Sequence, residues 1–378
     1  MINFAKMTKS TKKWIIWSPI CLVALIILYF GISIIVAYIT DYKPLMVEKL
    51  VIDAQGAEKS IPTQETEFSI LSWNIGYCGL GKDEDFFYDG GKSVQPSSEK
   101  YQIYLNKIFN VLDKLNYLDF IFMQEVDIRS KRSQYANQID LFKQALPKMS
   151  YAYGLNYDVK YIPIPVFRPM GKVKAGMANW SRYLPYEASR NGFDVNFDWL
   201  KRIFMLDRCF IVTKHKLSNG KELVMINVHN SAFDDENVLK PIELNTLKSF
   251  MMEEYRKGNY VVAGGDWNQN PPKYSATSIH KQWNPVSIPH PISESLFPSE
   301  WKWAFDNTIP SERFNDKPFV KGVNKTTTID FFLISPNVNV VSIETINLDF
   351  NYSDHQPILM TFSISADSSN VDSLETVE

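Results

Sequence analysis

From Trp14 to Thr40 the chain carries no charged residue, and this run limits what the chain can fold into more than any other feature. As a helix it is about 40 Å long, against a bilayer hydrocarbon core of about 30 Å. It has no polar face, so it fits poorly as a buried helix of a soluble domain. Lys6, Lys9, Lys12 and Lys13 precede it and Asp41 follows it. Positive charge on the leading flank places the N-terminus in the cytoplasm and the rest of the chain outside. A cleaved signal peptide is the competing reading. Its apolar region is typically about 7–15 residues long and ends at a small-x-small site. Here the run is longer, and Gly31-Ile32-Ser33, a weak match to such a site, is followed by Ile34-Ile35-Val36. The uncleaved anchor is the better fit.

The remaining organisation follows. Residues 1–13 form a basic cytoplasmic N-terminus and 14–40 a transmembrane anchor. Residues 41–66 read as a connector, with Pro44, Gly56, Pro62 and no strong period. Residues 67–364 form one large region without internal repeats. Residues 365–378 are Ser- and acid-rich, lack aromatics, and read as a disordered tail. The chain of 378 residues has a formal net charge of −2. Residues 1–40 hold four lysines and no acid, so the body carries −6. A mildly acidic body argues against strong non-specific binding to a nucleic-acid backbone, which Lys and Arg drive, but leaves room for a nuclease with a locally basic groove. Cys21, Cys78 and Cys209 have no metal-ligand spacing.

Within 67–364 the pattern alternates strand and helix. Residues 68–74 (FSILSWN), 118–123, 260–264, 328–335 and 356–364 are apolar, strand-like runs. Residues 209–217 and 222–228 flank Ser218-Asn219-Gly220, a hairpin signal. Helical spacing covers 99–115, through Tyr101, Tyr104, Leu105, Ile108 and Leu112, and also 134–146 and 238–257. Many strands with helices between them predict an α/β layered sandwich. Polar residues recur where the apolar runs end. Asn74, Gln124-Glu125, Asn227 with His229-Asn230, Asp266 with Asn268, Asp330, and Asp354-His355 all sit there. Strand ends gathered at one edge are where α/β folds place sites. Carboxylates, amides and two histidines suit oxygen ligation of Mg²⁺ and acid–base work on a phosphate.

Ser72-Trp73-Asn74, Gln124-Glu125, Asn227-Val228-His229, Gly265-Asp266-Trp267-Asn268, Ile329-Asp330 and Ser353-Asp354-His355 occur in the order found in one superfamily. With Gly176 to Arg182 between them, the chain resembles the endonuclease/exonuclease/phosphatase superfamily, typified by deoxyribonuclease I. Each motif alone is weak; the ordered set is specific. The resemblance implies a four-layered α/β sandwich, two packed mixed sheets flanked by helices, preceded here by the transmembrane helix. It implies Mg²⁺, with Mn²⁺ as a substitute. Glu125 resembles the principal metal ligand, with Asn74 and Asp354 close to the ion. Asp266 resembles the group that orients and deprotonates the attacking water, and Asn268 would hold that water or a phosphoryl oxygen. His229 would bond a non-bridging oxygen, and His355 would be the second histidine, fixed by Asp330. Arg208, at the head of a hairpin strand, is a candidate phosphate clamp.

Taken singly, an Asn at a strand end is usually a cap, a Glu after an apolar strand is usually solvated, and an Asp-His pair is usually a surface turn. Those readings do not produce six motifs in one order. Met177, Trp73, Trp180 and Trp267 read as core. His215, His280 and His290 match no motif. Arg182 and Arg190 read as surface ion pairs. The motifs set the chemistry and leave the substrate open. Substrate choice falls to 156–175 and 270–326. In the latter, Trp301, Trp303 and Phe305 alternate, as one face of a strand or as an amphipathic surface near the bilayer, and 310–313 resembles a substrate-side loop. The favoured substrate is a lipid or small phosphodiester. A membrane-tethered extracytoplasmic nuclease is the alternative, with phosphomonoesters and a non-catalytic binding homologue behind it. No protein partner can be inferred.

Overall fold

Strands with apolar residues on both faces need cover on both faces, and the chain supplies it in four layers. The computed structural model describes residues 9–62, 67–195, 199–232, 234 and 237–364. One mixed sheet of seven strands runs Val47–Lys49, Glu187–Gly192, Cys209–Lys216, Glu222–His229, Tyr260–Asp266, Asp330–Ile334, Lys302–Ala304. A second seven-stranded sheet runs Val338–Thr345, Ile358–Ile364, Glu67–Asn74, Phe120–Asp127, Gly171–Ser181, Ser150–Ile162, Ile52–Asp53. Strand alternation divides the side chains between layers. Phe68, Ile70, Phe120 and Phe122 pack with Met225, Val262 and Phe332 between the sheets. Leu71, Ile121 and Met123 point the other way, onto Tyr101, Leu105, Ile108 and Leu112 of helix Ser98–Lys114. Val224, Ile226 and Val261 meet Leu244, Leu247 and Met251 of helix Leu239–Arg256.

The register brings the polar strand ends together. Glu222–His229 and Tyr260–Asp266 run parallel with His229 opposite Asp266, and Asp330 pairs with Asp266 from the other side. In the second sheet Asn74 lies opposite Gln124. Gly265 permits the close approach. Its φ is +145°, and a Cβ there would lie 2.0 Å from the Val228 carbonyl oxygen. Gly220, in the hairpin turn, has φ +79° but open space around it. Gly220→Ala is therefore expected to cost about 1–2 kcal/mol of stability, the left-handed penalty alone. Gly265→Ala costs clearly more in urea unfolding, because a backbone clash is added to that penalty.

Four readings are revised. The second helix begins at Gln138, not 134, because Gln134 and Tyr135 have φ near +56° and +59° and cannot join a right-handed helix. Trp301 is 4% exposed and packs edge-on to Tyr255 and at a tilt to Phe297, and Trp303 packs against Trp267 and Phe331. Trp301 belongs to the core and Trp303 packs half-buried against it, so they do not form a membrane-facing surface. Arg190 is 1% exposed and donates to the Leu155, Leu45 and Asp207 carbonyls; it is a buried strut, not a surface ion pair. Arg182 donates to the Leu118 and Asn116 carbonyls and lies 3.6 Å from Asp119.

The N-terminal helix runs Lys9–Ile39 with Pro19 inside it, and Trp17–Ile39 is long and apolar enough to cross a membrane. A signal sequence has the same features. The segment after it is more than a connector, since Val47–Lys49 and Ile52–Asp53 each add an edge strand to one sheet. The tail at 365–378 lies outside the described residues.

Candidate active site

Asp266 is the centre of the polar cluster. Asn74 Nδ2 donates to its Oδ2 at 3.0 Å, and the Asn268 backbone N–H donates to its Oδ1 at 2.9 Å. His229 Nε2 lies 3.5 Å from Asp266 Oδ2, and His355 Nε2 lies 3.8 Å from the same atom. His355 Nδ1 is 2.9 Å from Asp330 Oδ2, which also accepts from the Ser311 hydroxyl at 2.7 Å. Asn268, with φ +51°, donates its amide to the Asn230 carbonyl.

Glu125 reaches the site through backbone irregularity. The pairing of Phe120–Asp127 with Gly171–Ser181 shifts register between Met123 and Val126, and Glu125 has φ +55°. Such a bulge re-aims a side chain that a regular strand would send elsewhere. Glu125 and Asp354 line one cavity of about 400 Å³ together with His229, Asp266, Asn268 and Arg208. The structure thus brings all nine residues singled out in the sequence to one region: six line the cavity, and Asn74, Asp330 and His355 bond to that cluster. Arg208 donates to the His229 carbonyl at 3.4 Å.

The electrostatics are uneven. Burial raises the Asp266 carboxyl to about 7, against the opposing charge of His355. Burial disfavours a charged His355, but Asp330 and Asp266 outweigh it and hold the imidazole well above its usual value. Burial, helped by the Arg208 and His355 charges, pushes His229 well below it. One histidine is thus held charged and the other neutral. Burial also raises Glu125, with Arg132 opposing.

Several residues around the site carried no sequence signal. Arg132 bonds Asp127 through Nε and Nη2 at 3.1 and 3.0 Å, stacks over Tyr77, and lies 3.7 Å from Glu125. Asn315 Nδ2 donates to Asp354 at 2.6 Å and to Asp89 at 3.3 Å. Asp89 and Glu312 also line the cavity. Of these only Glu312 lies in a stretch the sequence singled out, 310–313.

Comparison with known proteins now decides the family. The model of the Endonuclease/Exonuclease/phosphatase family matches residues 71–355, most of the chain. The chain belongs to the Endonuclease/Exonuclease/phosphatase family. Members of this family generally hydrolyse phosphoester bonds and typically use divalent metals. No curated protein sequence matches the chain. Solved structures share its fold. An endonuclease/exonuclease/phosphatase from Beutenbergia cavernae aligns with TM-score 0.52 at 14% identity, covering 80% of this chain and 72% of that one. ANGEL2, a 2′,3′-cyclic phosphatase, aligns with TM-score 0.52 at 13% identity over 85% and 99%. D. rerio TDP2, complexed with a single-strand DNA product, aligns with TM-score 0.50 at 14% identity over 79% and 100%.

Proposed function

We propose that the chain is a membrane-anchored, Mg²⁺-dependent phosphodiesterase acting outside the cytoplasm on a lipid or other small phosphodiester. The observation that carries this reading is one cavity lined by two unlike sets of side chains. Glu125, Asp354, Asp266 and His229 line it together with the apolar Ile164, Met170, Leu200, Phe204, Met205 and Leu206.

The donor set fits a hard divalent cation. Carboxylates and amide oxygens dominate, and Asn315 Oδ1 is buried in the cavity wall without a hydrogen-bond partner. Glu125, with Asn74 and Asp354, would hold Mg²⁺, for which Mn²⁺ could substitute. When bound, the ion would polarise the phosphoryl group and offset its charge. Asp266, Asp330 and His355 offer ligand atoms within 4.8 Å of one another. However, Asp330 Oδ2 is already committed to Ser311 and His355, so we assign that trio to proton handling. Asp266, with its raised pKa, takes the proton of the attacking water. Asn268 orients that water or a phosphoryl oxygen. His229, which lines the cavity with Nε2 toward Asp266, donates to a non-bridging oxygen, and His355, held charged by Asp330, balances the developing negative charge. Arg208 faces the cavity as a phosphate clamp.

The alternative is a membrane-tethered nuclease. TDP2 was solved with a DNA product, but the acidic body here offers few phosphate contacts. A non-catalytic binding homologue has less support, because every residue that the chemistry calls for is present. Phosphodiester-lipid hydrolysis is therefore expected to exceed duplex DNA hydrolysis and to change little between 50 and 200 mM salt. A DNA binder with about 6–10 phosphate contacts would lose roughly 10³–10⁵ in affinity over the same range. Efficient DNA cleavage with that steep salt dependence would favour the nuclease.

A further inference from the structure

The N-terminal helix stands free only as far as Leu28. Every described side chain from Trp17 to Leu28 is exposed. From Tyr29 onward one face packs on the domain. Tyr29 Oη lies 2.9 Å from Tyr161 Oη and donates to the Pro163 carbonyl at 3.0 Å, and Ser33 and Ala37 are buried. Helical residues 14–28 span about 22 Å, short of the hydrocarbon thickness of about 30 Å. A spanning helix must therefore use residues beyond Leu28, and the domain surface packed against those residues is drawn to the bilayer.

Two segments bond to the helix or to the chain just past its end. One is the loop 163–170, which carries Val166 at 49% exposure and Phe167 at 98%. The other begins with the short helix Trp199–Arg202, where Trp199 is 62% and Leu200 43% exposed. Arg202 joins Asp41, just past the helix end, at 2.5 Å. Exposed Trp and Phe on segments tied to an apolar helix suit an interfacial belt. The same two segments turn Ile164, Met170, Phe204 and Leu206 inward as the apolar wall of the active-site cavity. A single structure therefore offers an outer face to the bilayer and an inner face to an acyl chain.

We infer that 163–170 and 199–206 form a membrane-seated rim through which a phosphodiester lipid enters the site from the outer leaflet. Its phosphate meets Glu125, His229 and Asp266 while its apolar tail follows the wall. This rests on the phosphodiesterase reading given above. Two measurements on the full chain in phosphatidylcholine–sphingomyelin vesicles test it. The first places a fluorescent label at Phe167→Cys in a Cys21→Ser background, with Cys78 and Cys209 buried and unreactive. The control label is at Val341→Cys, on the opposite edge strand of the sheet that contains Ser150–Ile162. Headgroup nitroxide lipids should quench the label at 167 and leave 341 unaffected; equal, weak quenching overturns the inference. The second is the double variant Phe167→Asp, Trp199→Asp. It should lose at least about tenfold in phosphocholine release from the vesicles, because charge replaces interfacial apolar area. Hydrolysis of soluble bis(4-nitrophenyl) phosphate should be unchanged. Unchanged vesicle activity, or an equal loss on both substrates, overturns the rim. If the wild type hydrolyses neither substrate, the phosphodiesterase reading fails, and the quenching arm still decides the rim independently.

Discussion

Glu125→Gln is expected to lower turnover by at least about 10²-fold, since even outer residues around a metal contribute about 10–100-fold and Glu125 is the principal ligand proposed here. The fold should survive. Glu125 is half-buried with its carboxyl pushed up by burial, and Arg132, 3.7 Å away, is already satisfied by both oxygens of Asp127. Gln keeps the volume and removes a charge that the protein interior disfavours. Circular dichroism and the melting temperature should therefore match wild type while activity collapses, and added Mg²⁺ should rescue little. A variant that retains turnover would show that Glu125 only fills the cavity.

The second large effect is at Asp266. Asp266→Asn should lower kcat by about 10²–10⁴-fold, the usual contribution of a positioned general base. Stability should move the other way. Burial raises this carboxyl to about 7 in the folded chain, against 3.8 for the ordinary group. An acid whose folded pKa is raised costs stability as pH climbs above its unfolded value, and the cost is complete once pH exceeds the folded value. At pH 8 the Asn variant should thus melt no lower than wild type, and at pH 4 the gain should vanish. The amide has one oxygen where the carboxylate has two, so it can keep the bond from the Asn268 N–H but not the one from Asn74, and this offsets part of that gain. Loss of both activity and stability would mean that Asp266 chiefly holds the fold together.

Much of this arrangement was legible in the sequence because it rests on local rules. The apolar period through Tyr101, Tyr104, Leu105, Ile108 and Leu112 marked the buried face of helix Ser98–Lys114 residue for residue. Apolar runs with polar ends gave the strands, and register then carried His229, Asp266 and Asp330 to adjacent positions. Contacts without a local signal stayed hidden. Asn315 finds Asp354 across 39 residues, and Tyr29 finds Tyr161 across 132. The pairing of 47–53 with both sheets is equally non-local. Trp301 and Trp303 were ambiguous for a different reason. Alternating aromatics have the same pattern whether they cover a core or face a membrane, and only Phe297, Tyr255, Trp267 and Phe331 around them decide. Arg190 read as surface because arginines usually are; three carbonyls arranged by distant segments let it stay inside.

The central claim is that this cavity hydrolyses a phosphoester with a divalent metal. The most direct measurement assays the detergent-solubilised full chain, first in EDTA and then with Mg²⁺ restored, on DNA, RNA, sphingomyelin, glycerophospholipids and inositol phosphates. The account predicts no turnover in EDTA, recovery with Mg²⁺, and the largest recovery on a phosphodiester lipid. Full activity in EDTA, or no hydrolysis of any member of the panel with Mg²⁺ present, would contradict it.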